Sequence, residues 1–265
     1  MTQVMAQRGD GGAEVVVVPE AAALAREAAE RFVQMAREAV EARGRFSVAL
    51  AGGSTPGGAY RLLAEAPYRT RVPWEQVHIF WGDERLVPPD DPGSNYGLAQ
   101  QAFIGLVPIP AENVHRVRGE LKPEAAARAY ELELEDYFCG PLPRLDLVIL
   151  GLGSDGHTAS LFPGSPLLEE TSETVAVARA NYQGRPAWRV TLTLPAINAA
   201  RHVLFLAGGA EKAGIVAAVL GEGGGSLPAQ RVCPVAGQVT WLLDRAAAAG
   251  LAGEPQGPSQ QGEGS

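Results

Sequence analysis

One stretch of the sequence, residues 145–164, constrains the fold more than any other. An apolar run predicts a buried strand over residues 145–151, and the chain passes directly from it into a glycine-rich turn. The turn carries Asp155 and His157, and an imidazole can exchange a proton near neutral pH. Reactive groups at the carboxyl end of a buried strand are typical of open α/β sheets. We therefore expect an α/β protein and take His157 as the leading candidate for a catalytic base.

Apolar stretches and helical periodicities alternate along the chain. Strands are predicted near residues 14–18, 46–51, 77–81, 145–151, 174–178, 188–194, 203–207 and 239–243, and helices over 20–43, 57–66, 123–138 and 211–220, with a shorter one after Asn95. Several of these strands are apolar throughout, which requires cover on both faces. The alternation predicts a doubly wound, mostly parallel sheet with helices on both faces.

Length and composition fit one globular domain. With 265 residues, 46% of them hydrophobic, the chain can bury a substantial core. We predict a single α/β domain over residues 13–250. The end segments, 1–12 and 251–265, contain few residues that a core requires, and we expect both to be disordered.

The charge pattern restricts the class of partner. The net charge is −8 and the basic residues are scattered, whereas nucleic acids and membrane surfaces require a concentrated positive field. A small-molecule ligand is expected instead. No apolar run approaches the roughly 20 residues that span a bilayer, so we expect a cytoplasmic protein. A monomer is favoured, although the sequence leaves the oligomeric state open. Cys139 and Cys233 show no metal or redox spacing and are predicted to be packing residues.

A second glycine-rich segment, residues 51–58, has the sequence Ala-Gly-Gly-Ser-Thr-Pro-Gly-Gly and connects a strand to a helix. Free backbone amides at a helix start form an anion site, most naturally for phosphate. Ser54 or Thr55 is expected to cap the helix. The segment lacks the lysine of a nucleotide P-loop, so a phosphate ester fits better than ATP. The alternative is a well-capped turn with no ligand.

Charged residues follow two further strands. Asp83, Glu84 and Arg85 end one strand and form either a salt-bridged rim or a polar group directed into a cleft. Lys212, one of only two lysines, opens the helix after another strand. A cation is usually unfavourable there, so a bound phosphate would explain Lys212, with a solvated surface lysine as the alternative.

Several enzyme classes fit poorly. The pattern Gly151-x-Gly153-x-x-Gly156 matches a dinucleotide fingerprint, but Asp155 would place negative charge where the pyrophosphate must sit. No serine lies in the Gly-x-Ser-x-Gly elbow of a serine hydrolase, and no cluster of residues has metal-ligand spacing. The remaining histidines are expected to be structural: His78, His115 and His202.

These motifs, in this order, resemble those of the 6-phosphogluconolactonase family. The resemblance covers residues 21–244 and is carried by segments 52–56, 82–85, 87–88, 94–95, 151–164, 189–193, 197–198 and 227–229 and by Pro234. It implies a Rossmann-like fold shared with glucosamine-6-phosphate deaminase and ribose-5-phosphate isomerase. The implied reaction is hydrolysis of 6-phosphoglucono-δ-lactone to 6-phosphogluconate, the second step of the oxidative pentose phosphate pathway. No metal and no organic cofactor are implied.

The resemblance also implies roles for individual residues. His157 would activate water and later protonate the departing ring oxygen, Asp155 would orient the imidazole, and Arg85 would stabilise the oxyanion or position the ring. The residues implied to hold the phosphate are Gly53, Ser54, Thr55 and Lys212. The further substrate contacts that we predict are Asp83, Asn95 and Arg189.

The deaminases of the same superfamily provide a contrast. They share the Asp-Gly-His turn, but their pattern continues to a glutamate seven residues after the aspartate, where this chain has Phe162. A phosphosugar deaminase or isomerase is therefore an alternative that the sequence disfavours. A non-catalytic phosphosugar-binding regulator is the other alternative; it would keep the phosphate loop and have no need of His157.

Overall fold

The computed structural model describes residues 12–180, 187–221 and 225–251. The two end segments predicted to be disordered lie outside the described residues, except for Gly12 and Leu251. The strands are β1 Glu14–Val18, β2 Phe46–Leu50, β3 Val77–Trp81, β4 Asp83–Arg85, β5 Leu147–Gly151, β6 Val175–Arg179, β7 Trp188–Leu192, β8 His202–Ala207 and β9 Gln238–Asp244. The α-helices are α1 Ala21–Arg43, α2 Ser54–Leu63, α3 Asn95–Ala102, α4 Pro123–Phe138, α5 Leu194–Asn198, α6 Ala213–Leu220 and α7 Arg245–Ala248.

Six strands form one parallel sheet in the order β1-β9-β8-β5-β2-β3. The prediction of a mostly parallel α/β sheet is confirmed. From β2 the chain winds outward through β3, and it later returns to the other side of β2 to form β5 and then β8. The strand order therefore reverses between β2 and β5, and the loops after these two strands separate there. A crevice at such a switch point is the usual ligand site of an open α/β sheet.

A second sheet of three antiparallel strands, β4-β7-β6, was not predicted as a separate unit. β4 follows β3 after a single residue, Gly82, whose N–H donates to Leu50 at 2.9 Å and whose carbonyl accepts from Leu192 at 2.8 Å. These bonds join the small sheet to the carboxyl end of the large one. The strands predicted at 174–178 and 188–194 are present, but they pair with each other and not with the parallel sheet.

Helix α1 shows how the sequence covers the sheet. Its apolar positions recur at helical spacing, and Leu24, Ala28 and Phe32 are buried on one face. The helix ends at Arg43, and the following residue, Gly44, adopts the left-handed conformation at φ 75°. No helix in the described part of the chain is long and apolar enough to cross a membrane.

The prediction that both cysteines are packing residues is wrong. Cys139 and Cys233 are exposed. Cys139 lies just after α4 in the left-handed conformation at φ 55°, where the helix has ended and the chain turns into solvent. The sequence around Cys139 did not indicate its exposure, because that exposure depends on where α4 ends.

Candidate active site

A cleft of about 380 Å³ opens at the carboxyl ends of β2, β5 and β8, beside the small sheet. Its volume lies within the roughly 300–1,000 Å³ typical of small-molecule sites. Nine of the ten predicted site residues line it: Gly53, Ser54, Thr55, Asp83, Arg85, Asn95, His157, Arg189 and Lys212. The tenth, Asp155, contacts His157 from within the same turn.

The imidazole of His157 is oriented by Asp155. Nδ1 of His157 lies 2.5 Å from Oδ1 of Asp155, and the same oxygen accepts the backbone N–H of His157 at 3.1 Å. Burial alone would raise the pKa of the Asp155 carboxyl, but the two hydrogen bonds and the charge of His157 lower it below its ordinary value. An ionised carboxylate only accepts, so Nδ1 donates to Asp155, and in the neutral form of the ring the lone pair lies on Nε2. This is the tautomer that a general base requires.

Two neighbours fix the position of the ring. A Cβ at residue 153 would overlap Nδ1 of His157, so Gly153 permits the imidazole to lie against the backbone. The ring of Phe162 packs against the imidazole, with 4.6 Å between the ring centres. The Arg189 guanidinium lies 5.8 Å above the same phenyl ring. Phe162 thus occupies the space beside the imidazole with an apolar ring.

Helix α2 presents free backbone donors to the cleft. It begins at Ser54, three residues earlier than predicted, and Gly53 is its N-cap at φ 105°. The expectation that Ser54 or Thr55 caps the helix is wrong, because both lie within its first turn and the N-cap is Gly53, which has no side chain to donate or accept a cap bond. Pro56 is accommodated in the first turn, where its missing N–H has no intrahelical partner to lose. The amides of Ser54 and Thr55 stand at the positive end of the helix.

Asp83 and Arg85 lie on the cleft side of β4, and Glu84 lies on the other side, as the alternation of a strand requires. Glu84 is buried and accepts the N–H groups of Asn95 and Tyr96 at 2.8 and 2.7 Å. Burial raises the pKa of the Glu84 carboxyl, although these backbone hydrogen bonds oppose the rise. From the sequence, these three charged residues formed either a salt-bridged rim or a polar group directed into a cleft. In the structure Glu84 holds the start of α3, whereas Asp83 and Arg85 face the cleft.

The Asp83 carboxylate is engaged by protein groups. It accepts the hydroxyl of Ser160 at 2.7 Å and the side-chain amide of Asn95 at 3.2 Å. Arg189 lies 3.7 Å away. Asn95 also donates to the backbone carbonyl of Asp83 at 2.7 Å. Asp83 and Asn95 both line the cleft, and the hydrogen bonds between them hold each side chain in place.

Arg85 lines the cleft and is held by the backbone. Its Nη1 donates to the carbonyl of Gly93 at 2.6 Å, which fixes the guanidinium in place. Its buried Nε has no hydrogen-bond partner among the described residues. A guanidinium held in this way is suited to an anion or a carbonyl oxygen, because its fork of donors is rigid.

Lys212 reaches the cleft from the loop after β8. Its Nζ donates to the carbonyl of Leu152 at 2.7 Å, so the ammonium lies beside the turn that carries His157. This bond uses one of the three donors of an ammonium group. The lysine is therefore held inside the cleft and is not a solvated surface cation.

Further residues near the site were not predicted from the sequence. Glu211 lines the cleft next to Lys212. Ser160 is fully buried behind His157, and Ala159 lines the cleft at φ 48°. Ser160 falls within the motif of residues 151–164, but its partner is 77 positions away in the sequence. No sequence signal marks Ala159, because alanine rarely adopts a positive φ.

The other three histidines lie outside the cleft. Nδ1 of His78 lies 3.2 Å from Nε2 of His115, whose Nδ1 lies 2.7 Å from Glu133. Burial, together with the charges of His115 and Arg45, lowers the pKa of His78 to about 4. His202 lies at the opposite end of the sheet, at the start of β8.

Comparison with known proteins gives a consistent result. The family model described as glucosamine-6-phosphate isomerases/6-phosphogluconolactonase matches residues 19–241. A 6-phosphogluconolactonase from Nostoc sp. is 40% identical in an alignment of 243 positions that covers 89% of this chain and 98% of that protein. One from Streptomyces coelicolor is 39% identical and covers 90% of this chain and 94% of its own length.

Solved structures agree. The 6-phosphogluconolactonase from Trypanosoma cruzi superposes with a TM-score of 0.82 at 31% identity, covering 91% of this chain and 98% of that one. A monomeric glucosamine-6-phosphate deaminase superposes with a TM-score of 0.76 at 24% identity, covering 89% of this chain and 99% of that one. The deaminase shows the shared fold alone.

Proposed function

The chain belongs to the family of glucosamine-6-phosphate isomerases and 6-phosphogluconolactonases, and we propose that it hydrolyses 6-phosphoglucono-1,5-lactone to 6-phosphogluconate. One observation carries the proposal: the cleft that holds the Asp155-oriented imidazole of His157 also holds the open start of α2 and the ammonium of Lys212. A base and an anion site in one small cleft suit a substrate that carries a carbonyl and a phosphate.

His157 performs the proton transfers. Its Nε2 takes a proton from water as the water oxygen bonds to C1 of the lactone, which leaves a tetrahedral oxyanion. When the bond between C1 and the ring oxygen breaks, the imidazolium returns that proton to the departing oxygen. The products are a free hydroxyl and a carboxylic acid, which ionises. Asp155 stabilises the imidazolium that exists between the two transfers.

The phosphate binds to the hydrogen-bond donors at the start of α2 and beside Lys212. The amides and hydroxyls of Ser54 and Thr55, the backbone of Gly53 and the ammonium of Lys212 supply these donors. Arg85 and Arg189 line the same cleft, and Arg85 is assigned to the oxyanion or the ring. Binding energy at the remote phosphate then fixes the carbonyl over His157.

The proposed enzyme acts as a monomer in the cytoplasm on a small phosphosugar lactone, and it requires no metal or organic cofactor. A reaction without a cofactor is chemically reasonable, because the lactone is already reactive toward water. A positioned base alone contributes roughly 10²–10⁴ in rate.

The decisive experiment generates the lactone freshly in the cuvette and follows its loss with and without the protein. We expect loss well above the spontaneous rate. Loss at the spontaneous rate would reject the hydrolase. Release of ammonia from glucosamine 6-phosphate would identify a deaminase, and tight binding of 6-phosphogluconate without turnover would identify a regulator.

A further inference from the structure

Among the hydrogen bonds that hold the turn of His157, three are made by the residues that follow the histidine. The hydroxyl of Thr158 donates to the carbonyl of Gly151 at 2.9 Å. The backbone N–H of Ser160 donates to the hydroxyl of Thr191 at 3.2 Å, and the hydroxyl of Ser160 donates to Asp83 at 2.7 Å. The last two bonds attach the turn to the small sheet.

Between His157 and Ser160 the backbone adopts an unfavourable conformation. Ala159 has φ 48°, in the left-handed region that favours glycine. Such a conformation persists only where its surroundings impose it, and strained residues of this kind cluster at functional sites. A backbone hydrogen bond from the N–H of Leu161 to the carbonyl of Thr158 at 2.9 Å spans the strained residue, and the side-chain bonds of Ser160 lie directly after it.

The acceptor of the Ser160 hydroxyl is itself fixed. Asp83 is only 7% exposed, and Ser160 is completely buried. Asn95 donates to the other carboxylate oxygen of Asp83 at 3.2 Å, while Arg189 lies near the oxygen that Ser160 contacts. In such surroundings water cannot easily replace the serine, so the bond resists exchange.

We propose that the hydrogen bond from Ser160 to Asp83, here termed the brace, holds Ala159 in its left-handed conformation and thereby sets the position of the His157 imidazole. Ser160, which is fully buried, is a positioning residue that acts through the turn and does not contact the substrate. The inference rests on the proposed function, since it concerns the base of the same reaction. Without the brace the turn relaxes and the imidazole moves away from the carbonyl.

The first test is Ser160→Ala, with Ser47→Ala as a matched control. Ser47 is also buried, and its hydroxyl donates to the buried Asp146 at 2.9 Å, but this pair lies at the other end of the sheet. We expect kcat to fall about tenfold or more in S160A with KM nearly unchanged, because displacement of a catalytic group is costly. In S47A kcat is unchanged. Equal kcat values in wild type and S160A, or equal losses in both variants, would overturn the brace.

The second test asks whether the loss acts through Ala159. Ala159→Gly removes the steric cost of the positive φ, so a turn without its brace can regain the catalytic geometry. We expect A159G to raise kcat several-fold more in the S160A background than in the wild type. The same gain in both backgrounds, or no gain in either, contradicts the mechanism.

A third measurement needs no turnover. The ring proton resonances of His157, assigned by their absence in H157Q, are followed by NMR in S160A and S47A. A change in S160A alone supports the brace even if the wild type fails to hydrolyse the lactone, which would refute only the proposed function. An active wild type with His157 resonances unmoved in S160A refutes only the brace.

Discussion

Two buried carboxylates lie at opposite ends of the parallel sheet, and each accepts a hydrogen bond from a buried serine hydroxyl. Asp146, immediately before β5, accepts both the hydroxyl and the backbone N–H of Ser47 at 2.9 Å. Asp83, the first residue of β4 and two residues after the end of β3, accepts the hydroxyl of Ser160 at 2.7 Å. The chemistry of the two pairs is the same, but their surroundings differ.

At the amino end, Asp146 joins regular elements to one another. It contacts Arg43, the last residue of α1, at 2.8 Å, and Arg201, just before β8, at 3.3 Å. At the carboxyl end, the corresponding bond ends on a turn that contains a strained residue and lines a cleft. A buried serine–carboxylate bond therefore contributes stability where it joins regular elements, and it fixes local geometry where it restrains a turn. Substitutions at the amino end should therefore change unfolding, and those at the carboxyl end should change turnover.

The largest effect is expected from His157→Ala. Removal of the base should lower kcat by about 10²–10⁴ while leaving the fold intact. His202→Ala, at the amino end of the sheet, is the matched control and should retain kcat. Initial rates of lactone loss, corrected for spontaneous hydrolysis, measure both. An H157A enzyme with wild-type kcat would show that another group is the base.

The next effect is expected from Lys212→Ala. A charge-assisted hydrogen bond contributes roughly 1.5–3 kcal/mol, so kcat/KM should fall about 10- to 100-fold, mainly through KM. Lys122, the other lysine, lies just before α4 and outside the residues that line the cleft. K122A should therefore match the wild type. A K212A enzyme with unchanged KM would remove Lys212 from the phosphate site.

At the amino end, Asp146→Ala should act on stability. Removal of the carboxylate leaves Arg43 and Arg201 without their shared counter-ion, and Ser47 without its acceptor. Because both arginines are about one-third exposed, the expected cost is about 2–3 kcal/mol of unfolding free energy, below that of a fully buried pair. Urea denaturation measures the loss. A D146A variant that stays stable but loses kcat would contradict the assignment of stability to the amino end and of turnover to the carboxyl end.

The smallest effect concerns pH. His78 pairs in register with Ser47 at the amino end, and its pKa is lowered from 6.5 to about 4. The unfolded chain therefore takes up a proton at His78 before the folded chain does, so stability falls as pH decreases from 6.5 toward 4. In His78→Asn the unfolding free energy should fall less steeply over this range. Parallel slopes for the two proteins would show that His78 does not contribute.

Local patterns were sufficient for much of this molecule. The apolar periodicity of α4 and the proline at its start gave both of its ends correctly. The glycine-rich turns after β2, β5 and β8 predicted residues that the fold brings into one cleft, because parallel strands place their carboxyl ends at one edge.

What the sequence did not indicate depends on distant contacts. The pairing of β6 and β7 with β4 is decided by three-dimensional packing, which the alternation of apolar residues in each strand does not specify. The partner of Asp83 lies 77 residues away, so the sequence could not show that this predicted substrate contact also accepts a hydrogen bond from the protein. The helix start at Ser54 was misplaced because Pro56 is compatible with a first turn as well as with a loop.

The order of the strands has one more consequence, for the choice of inhibitors. The turn of His157 follows β5, and the donor loops follow its two neighbours, β2 on one side and β8 on the other. Adjacent parallel strands are roughly 4.8 Å apart, so the spacing of the strands sets the distance between the imidazole of His157 and the phosphate-binding loops. A compound that places its carbonyl too few bonds from its phosphate cannot satisfy both at once. Chain length alone would then discriminate among sugar phosphates before any hydroxyl is recognised.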